Sequence, residues 1–287
     1  MPSNRVVILR NRVCPYCRID LSPGNESTEH VVGRKFVPKG TLENQWNLIL
    51  KACDNCNGNK ADLEDDISAI TMQPDVSGQH FGSHPQLAKD AAHKATKASS
   101  RHTGKAVGDS QPNLVVKGEL AKGVSVTFNF TGQAVISPER AFDLAAYHFR
   151  AFFFYLTFNP GDGCGPELPG VYAEIQAVSK RDWGNDVARA FMARTRSWEP
   201  QLVFTTASGH FRLAIRKHPD KQMWSLATEW NENYRVMALC GEESDLREFM
   251  SGLPAMGGEV YRGADGSTLI ARTEKQLATE DDDLFAP

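Results

Sequence analysis

This chain lacks the long apolar run that a membrane-spanning helix requires. About 20 consecutive apolar residues are needed to cross the hydrocarbon core of a bilayer, whereas the apolar segment 141–158 is interrupted by Asp143 and Arg150. The apolar run at residues 6–9 is too short for the core of a secretory signal peptide. These absences predict a cytoplasmic protein without a membrane partner.

The sequence also has little excess charge of either sign. Its formal net charge is -3 and its pI is about 6.3, whereas proteins that bind duplex DNA are commonly basic overall or carry a basic face. Any surface for nucleic acid must therefore be local. The one mildly basic segment, residues 86–122, has seven Lys or Arg against three Asp or Glu. This composition favours a solvated linker, with a helix at about residues 86–99, over a phosphate-binding arm.

Cysteine is scarce, and its spacing is not that of a disulfide framework. Four of the six cysteines form two Cys-x2-Cys pairs separated by 35 residues, and the other two are isolated. The paired residues are Cys14, Cys17, Cys53 and Cys56, and the isolated ones are Cys164 and Cys240. Two such pairs can bring four thiolates to the corners of a tetrahedron, so the sequence predicts a structural Zn²⁺ site.

The chain has no internal repeat and no glycine-rich phosphate-binding loop, which leaves ordinary globular domains as the expected organisation. A length of 287 residues with 41% hydrophobic composition favours two of them. We expect a compact N-terminal domain at residues 1–73, a linker at 74–113, a second domain at 114–275 and a disordered acidic tail at 276–287.

Hydrophobic periodicity predicts an α+β fold in both domains. In the first domain we expect strands near residues 26–32 and 46–50, then a helix from residue 55 with Leu63, Ile67 and Ile70 on one face.

In the second domain we expect a strand meander over residues 114–136 and then a long helix. Ser137 as the N-cap and Pro138 as the first helical residue mark its start, and it is apolar nearly all round. It should be the central buried helix, with a mostly antiparallel sheet packed on it. Five further strands are expected at residues 171–178, 202–206, 211–216, 223–229 and 235–240, and two helices at 183–196 and 245–252.

Several polar residues stand in a fixed order between and after the cysteine pairs. They are Glu29-His30-Val31-Val32, Asn47-Leu48 and the ending Cys56-Asn57-x2-Lys60. Together with the cysteines, these motifs resemble the zinc-containing branch of the HNH endonucleases, in an HNN variant with Asn57 at the third motif position. The resemblance covers about 50 residues, all N-terminal, and implies a ββα-metal fold for that part of the chain.

The resemblance implies a metal-dependent endonuclease that hydrolyses DNA phosphodiester bonds. His30 would be the general base, because a neutral imidazole with a pKa near 6.5 can accept a proton from water. Glu29 and Asn57 would hold a catalytic Mg²⁺ or Mn²⁺, which prefers oxygen ligands. Asn47 would brace the loop between the two strands and orient His30, which makes it a positioning residue.

The resemblance also assigns substrate contacts. Lys60, one helical turn after Asn57, would contact the substrate phosphate, and Arg34 and Lys35 in the preceding loop would bind substrate as well. Two departures from the family pattern stand out: the acid is Glu29, which reaches further than the commoner Asp, and Gly33 replaces a common proline.

The same sequence motifs are compatible with other functions. Two Cys-x2-Cys pairs are also typical of zinc ribbons, so a non-catalytic adaptor that docks a protein, nucleic acid or small ligand is the main alternative. An RNA-directed nuclease would share the same site. For a DNA nuclease, we expect double-stranded DNA and defence-system proteins as partners, by analogy with restriction and anti-phage systems.

The second domain offers one further candidate surface, an arginine series flanked by two tryptophans. Such a series can form a strand-binding face or, more commonly at helical spacing, a solvated face. The residues are Arg181, Trp183, Arg189, Arg194, Arg196 and Trp198.

Overall fold

A computed structural model describes residues 6–75, 77–111, 113–121, 124–131, 134–255, 257, 259–262, 268–271 and 273–287 of the chain. Within these residues the fold is mixed α+β. It contains a three-stranded sheet, a five-stranded sheet and two two-stranded hairpins. None of the helices in these residues is long and apolar enough to cross a membrane.

The N-terminal sheet has the strand order β1-β3-β2. Strand β1 (Val7–Ile8) runs parallel to β3 (Leu48–Cys53), and β2 (Glu26–His30) runs antiparallel to β3. Helix α1 (Asp54–Thr71) follows β3 without a connecting loop, because the Cys53 side chain accepts a hydrogen bond from the backbone N–H of Cys56 and caps the helix. The expected order of strand, loop, strand and helix is confirmed.

The helix expected at residues 86–99 of the linker is confirmed as α2 (Leu87–Lys97), but it packs against α1. Gln73 Nε2 donates to the carbonyl of Ala91 at 3.0 Å, and Lys94 Nζ donates to Ser68 Oγ at 2.6 Å. Leu87 and Ala91 are buried. This part of the chain is therefore attached to α1 and is not a free connector.

The next segment forms a separate hairpin and not the expected three-stranded meander. Strand β4 (Asn113–Ala121) pairs with β5 (Val124–Thr131), and neither belongs to the five-stranded sheet. Of the third expected strand, residues 134–136 are not in a strand, and residue 133 lies outside the described residues.

Helix α3 (Pro138–Leu156) begins where the sequence predicts and lies between the N-terminal elements and the five-stranded sheet. The Phe152 ring lies 5.1 Å from the ring of Phe204 in the sheet, and the Tyr147 ring lies 4.8 Å from that of Tyr16. The helix is amphipathic, because charged positions such as Asp143 are exposed. The expectation that it is apolar nearly all round is wrong.

The five-stranded sheet is antiparallel throughout, with the order β6-β10-β9-β8-β7. Its strands are β6 (Val171–Ser179), β7 (Glu199–Thr206), β8 (Phe211–Lys217), β9 (Met223–Trp230) and β10 (Tyr234–Gly241). All five expected strands are confirmed. The helices expected in this region are also present, as α4 (Asp186–Thr195) and α5 (Glu243–Ser251), and a final hairpin consists of β11 (Glu259–Arg262) and β12 (Thr268–Ala271).

Both faces of this sheet are buried. Along β10, Val236 and Ala238 belong to the apolar cluster that includes α3, whereas Met237 and Leu239 belong to a second cluster with α4 and α5. Because successive residues of a strand point to opposite faces, this alternation means that helices cover the sheet on both sides.

The C-terminal segment packs against the second of these clusters. Leu284 is 5% exposed and lies in it, the Asp282 carboxylate forms an ion pair with Arg235, and Arg216 donates a hydrogen bond to the carbonyl of Ala286. The expectation of a disordered tail at residues 276–287 is wrong. Within this acidic segment, Asp282 neutralises the buried Arg235 guanidinium, and Leu284 adds an apolar side chain to the core.

The long loop between β2 and β3 is hydrogen-bonded to the end of β7 and to the turn between β9 and β10. Thr206 Oγ1 donates to the carbonyl of Trp46. Asn231 Nδ2 donates to the carbonyl of Phe36 at 3.2 Å and to Thr71 Oγ1 at 2.8 Å. One apolar cluster contains residues of both regions, so the two expected domains share a continuous core.

Candidate metal centre and candidate active site

The four paired cysteines converge at the junction of the N-terminal turn, β3 and α1. The sulfur atoms of Cys14, Cys17, Cys53 and Cys56 all lie within 4.8 Å of one another. The distance between Cys17 Sγ and Cys53 Sγ is 3.6 Å. Among the described residues, these cysteines are the one group of three or more His, Cys, Asp or Glu side chains that is placed to hold a metal ion.

Backbone geometry presents each of these sulfurs. The first pair lies in a turn in which Arg18 N–H donates to the Cys14 carbonyl at 3.0 Å, and Arg18 adopts the left-handed conformation with φ of 67°. The second pair spans the end of β3 and the first turn of α1. The backbone N–H of Cys53 donates to Cys14 Sγ at 3.5 Å, and that of Cys56 donates to Cys53 Sγ at 3.5 Å.

This sulfur cluster fits a Zn²⁺ ion. A Zn–S bond of about 2.3 Å in a tetrahedron places the sulfurs about 3.8 Å apart, close to the 3.6 Å between Cys17 and Cys53. Burial and the neighbouring sulfurs raise the pKa of Cys56, so four adjacent thiolates require a cation to stay ionised. The four cysteines could hold a metal such as zinc, as the sequence predicts.

His30 is the last residue of β2 and is half-buried. Burial lowers the pKa of His30, Arg34 and Lys60 lower it further, and Glu29 acts in the opposite direction. The imidazole is therefore neutral near pH 7, the protonation state that a general base needs.

Asn47 has the hydrogen bonds that a bracing residue requires. Its Nδ2 donates to the carbonyl of Val32 at 2.9 Å, and its Oδ1 accepts from the backbone N–H groups of Val32 at 3.3 Å and Leu48 at 2.9 Å. These bonds join the segment directly after His30 to the start of β3. The side chain is buried, so these bonds are shielded from water.

Glu29 and Lys60 are both buried and bind each other. Lys60 Nζ lies 2.8 Å from Glu29 Oε1, and the side chains are 1% and 5% exposed. The expected contact of Lys60 with a substrate phosphate stays a prediction, because in this arrangement the ammonium faces a carboxylate inside the protein.

Two residues of this environment did not emerge from the sequence. Glu64 Oε1 lies 2.5 Å from Lys60 Nζ, and Tyr16 donates from its hydroxyl to Glu29 Oε1 at 3.3 Å. Burial raises the pKa of Glu64, Lys60 opposes that shift, and Glu29 adds to it. The (i, i+4) spacing of Lys60 and Glu64 on α1 was the available signal, although it does not reveal that the pair is buried.

Asn57 lies in the first turns of α1, where its Nδ2 donates to Ser27 Oγ at 2.8 Å. Ser27 precedes Glu29 by two residues on β2, so both lie on the same face of the strand. One carboxylate and one amide oxygen suit a hard divalent ion. A catalytic Mg²⁺ or Mn²⁺ held by Glu29 and Asn57 stays a prediction, because Lys60 already acts as the cation beside Glu29.

The remaining candidates are more dispersed. Arg34 and Lys35 are exposed on the loop after β2, where they are accessible to a ligand. Three of the four arginines near α4 have internal partners: Arg181 pairs with Glu274 at 2.8 Å, Arg194 donates to the carbonyl of Phe249 at 2.7 Å and Arg196 pairs with Asp283 at 3.6 Å. These contacts, with Trp183 and Trp198 buried, favour the solvated-face interpretation.

Comparisons with protein-family models, with curated proteins and with solved structures found no match for this chain.

Proposed function

We propose that this protein is an HNH-type endonuclease that hydrolyses DNA phosphodiester bonds with the help of a divalent ion. The observation that carries this proposal is the arrangement around His30. A neutral imidazole lies at the end of β2, and Asn47 binds the backbone of Val32 two residues later. The four sulfurs join the N-terminal turn, β3 and α1 at the other end of this strand pair. A zinc ribbon that only docks a partner has no need of the first two features.

The cysteines, the His30 region and the exposed basic residues have separate roles in this reaction. The sulfurs hold β3, α1 and the N-terminal turn together, so that a small polar region keeps its shape. His30 accepts a proton from the attacking water, and Asn47 keeps the ring in place through the backbone of Val32. Arg34 and Lys35 bind the phosphate backbone near the site.

A divalent ion held by Glu29 and Asn57 would stabilise the negative charge on the scissile phosphate and the leaving oxygen. Glu29 is buried and forms an ion pair with Lys60, so binding of the divalent ion would change that ion pair.

The biological role that we propose is genome protection, in restriction or in phage defence, with double-stranded DNA as the substrate and defence-system proteins as partners. It follows from the combination of a sequence-tolerant cutting unit with a larger region that can select a target. This step is an analogy with the family.

The test of the proposed function is nicking of supercoiled plasmid by the purified full chain with Mg²⁺ or Mn²⁺. His30→Ala should abolish nicking while the zinc content per chain stays the same. His102→Ala is the matched control, because His102 is exposed and lies outside the N-terminal sheet. Unchanged nicking by the His30 variant would exclude His30 as the base.

The buried ion pair of Glu29 with Lys60 favours a second candidate, a non-catalytic zinc adaptor, because a carboxylate neutralised inside the protein is not free to hold an ion. The adaptor predicts one zinc per chain and no nicking of DNA or RNA under any divalent ion. A structured RNA substrate tested beside the plasmid separates a DNA nuclease from an RNA nuclease that uses the same residues.

A further inference from the structure

The exposed surface of α2 carries its positive charge on one side. Lys89, His93 and Lys97 follow one another at intervals of four residues, which places them in one row along the helix, and all three are exposed. We refer to these three residues as the α2 row. The opposite exposed positions, 88, 92 and 96, are Ala, Ala and Thr, which carry no charge. The row spans about 12 Å, a length over which one strand of duplex DNA carries roughly three or four phosphates.

The α2 row borders the side of the helix that contacts the loop between β2 and β3. In this contact the backbone N–H of Lys39 donates to Asp90 Oδ2 at 2.6 Å. Asp90 Oδ1 accepts from Gln86 Nε2 at 3.1 Å, so the one carboxylate of the helix already has two donors. His93 lies three residues after Asp90 and is therefore its neighbour on the helix surface. The row and the loop thus form one continuous surface.

The loop connects this surface to the candidate active site. Arg34 and Lys35 are exposed on it. Burial lowers the pKa of Lys94 on α2, three carboxylates oppose this shift and Lys35 adds to it, so the ammonium groups of Lys35 and Lys94 are near enough to repel each other. Burial also lowers the pKa of His30, and Arg34 lowers it further. Positive charge therefore continues from the candidate base along the loop to α2.

Cations outnumber carboxylates in these two segments. The loop at residues 31–47 and helix α2 together contain six Lys or Arg but only two Asp or Glu, although the whole chain has a net charge of -3. Five of the six are exposed, and Lys94 is half-buried and donates to Ser68 Oγ at 2.6 Å. Such a local excess of positive charge favours a polyanion as the partner. We refer to the six as the basic face: Arg34, Lys35, Lys39, Lys89, Lys94 and Lys97.

We propose that the basic face binds the phosphate backbone of double-stranded DNA, with the α2 row along one strand and Arg34 and Lys35 beside His30. The inference deepens the proposed function and rests on it for the choice of DNA. It assigns substrate contacts to α2, a helix outside the motifs that resemble the endonuclease family. Because lysines neutralise phosphates without reading bases, this binding is independent of the DNA sequence and weakens as salt is added.

The test replaces both lysines of the α2 row. Lys89→Gln/Lys97→Gln should weaken binding of a short labelled DNA duplex by about tenfold or more at about 0.1 M salt. It should also reduce the slope of log K against log[salt] by about 2, because each phosphate contact contributes about 0.9. Both side chains are exposed, so the variant should fold as the wild type does. Lys89→Arg/Lys97→Arg keeps both charges and should retain the affinity.

Arg189→Gln/Arg247→Gln is the matched control. It makes the same change in net charge at two exposed positions on α4 and α5, the helices on the other face of the five-stranded sheet. Its affinity for the duplex and its salt dependence should equal those of the wild type, because these positions lie outside the basic face.

The measurement is fluorescence anisotropy of the duplex with the zinc-loaded full chain in the absence of Mg²⁺ and Mn²⁺, which needs no turnover. Loss of affinity and slope in Lys89→Gln/Lys97→Gln alone supports the inference. Wild-type affinity in this variant, or an equal loss in the control, overturns it. Tighter binding of polyglutamate than of the duplex at the same salt also overturns it, because the occupant would then be an acidic protein.

Plasmid nicking is scored separately, so the two proposals can fail separately. A chain that binds DNA through the α2 row but does not nick under any divalent ion would contradict the proposed function and leave the inference standing. Nicking with unchanged DNA affinity in Lys89→Gln/Lys97→Gln would contradict the inference and leave the proposed function standing.

Discussion

Two buried ion clusters, each with one cation between two carboxylates, lie in different regions of this molecule. The first consists of Glu29, Lys60 and Glu64 in the N-terminal region, and we refer to it as the Lys60 cluster. In the other, Arg235 binds Glu229 Oε2 through Nε at 2.9 Å and Nη2 at 2.8 Å, and Nη1 donates to Asp282 at 3.0 Å. We refer to Glu229, Arg235 and Asp282 as the Arg235 cluster.

The identity of the cation separates the two clusters. The Arg235 guanidinium presents a rigid fork of donors, and it lies 3.5 Å from the centroid of the Trp183 ring, so its orientation is fixed by packing. An ammonium on a flexible stem can turn from one acceptor to another without breaking a fixed geometry. We therefore expect the Arg235 guanidinium to keep one position, whereas the Lys60 ammonium can change its acceptor.

Loss of one sulfur should have the largest effect on the difference between the two regions. Cys17→Ser should release zinc and destabilise β3, α1 and the N-terminal turn, because the binding free energy of a structural zinc, on the order of 10 kcal/mol, contributes to folding. The N-terminal region should lose protection from hydrogen exchange first. The five-stranded sheet, with apolar clusters on both faces, should keep more of its protection.

Cys164→Ser is the control for this experiment, because Cys164 lies outside the sulfur cluster. It should leave the zinc content and the exchange pattern unchanged. Equal loss of protection in both regions for Cys17→Ser would show that the sheet depends on zinc as much as the N-terminal region does.

Replacement of the cation in each cluster should have the next largest effect on stability. Arg235→Met should lower the free energy of unfolding by about 3 to 5 kcal/mol, because it leaves Glu229 buried and Asp282 without its partner. Addition of Mn²⁺ should not restore this loss. Lys60→Met should also be destabilised in metal-free buffer, but Mn²⁺ should recover much of its stability. Thermal unfolding of the zinc-loaded variants with and without Mn²⁺ measures both, and recovery of the Arg235 variant would contradict the distinction.

A smaller effect concerns pH. His210 is 1% exposed, and burial, together with His84, lowers the pKa of His210 from 6.5 to about 4. The unfolded chain therefore binds more protons than the folded chain between these values, so stability falls as pH falls from about 6.5 to about 4. The contribution is up to about 3 kcal/mol.

His210→Gln should make the pH dependence flatter by up to about 1.4 kcal/mol per pH unit in this window, as measured by denaturant unfolding at several pH values. His102→Gln, at an exposed position, should leave the slope as it is. An unchanged slope in the His210 variant would show that the pKa of this histidine is the same in the folded and unfolded protein. The raised pKa of Glu232 acts in the opposite direction in both proteins.

Much of the sheet could be predicted from local patterns. Each strand from β6 to β10 is a short apolar run bounded by turn residues, so its existence does not depend on knowledge of its partners. The four-cysteine cluster could also be predicted, because the spacing of two Cys-x2-Cys pairs is typical of a metal site. The start of α3 was marked by Ser137 and Pro138, which are local signals as well.

The failures come from long-range contacts. The acidic tail looks disordered because composition does not show that Asp282 meets Arg235, 47 residues earlier in the chain. The buried contact of Lys60 with Glu29 was missed for the same reason, because the sequence shows only the spacing of Lys60 from Asn57. Charge pairs inside a core depend on the tertiary arrangement, which periodicity does not report.

We propose that the sulfurs hold a structural zinc, and that Glu29, His30 and Asn57 catalyse phosphodiester hydrolysis with a second, exchangeable divalent ion. The most direct measurement compares plasmid nicking by the zinc-loaded chain with and without added Mg²⁺ or Mn²⁺. We expect no nicking with zinc alone and nicking when either ion is added. Nicking at full rate without an added ion, or no nicking under any ion, would contradict this proposal.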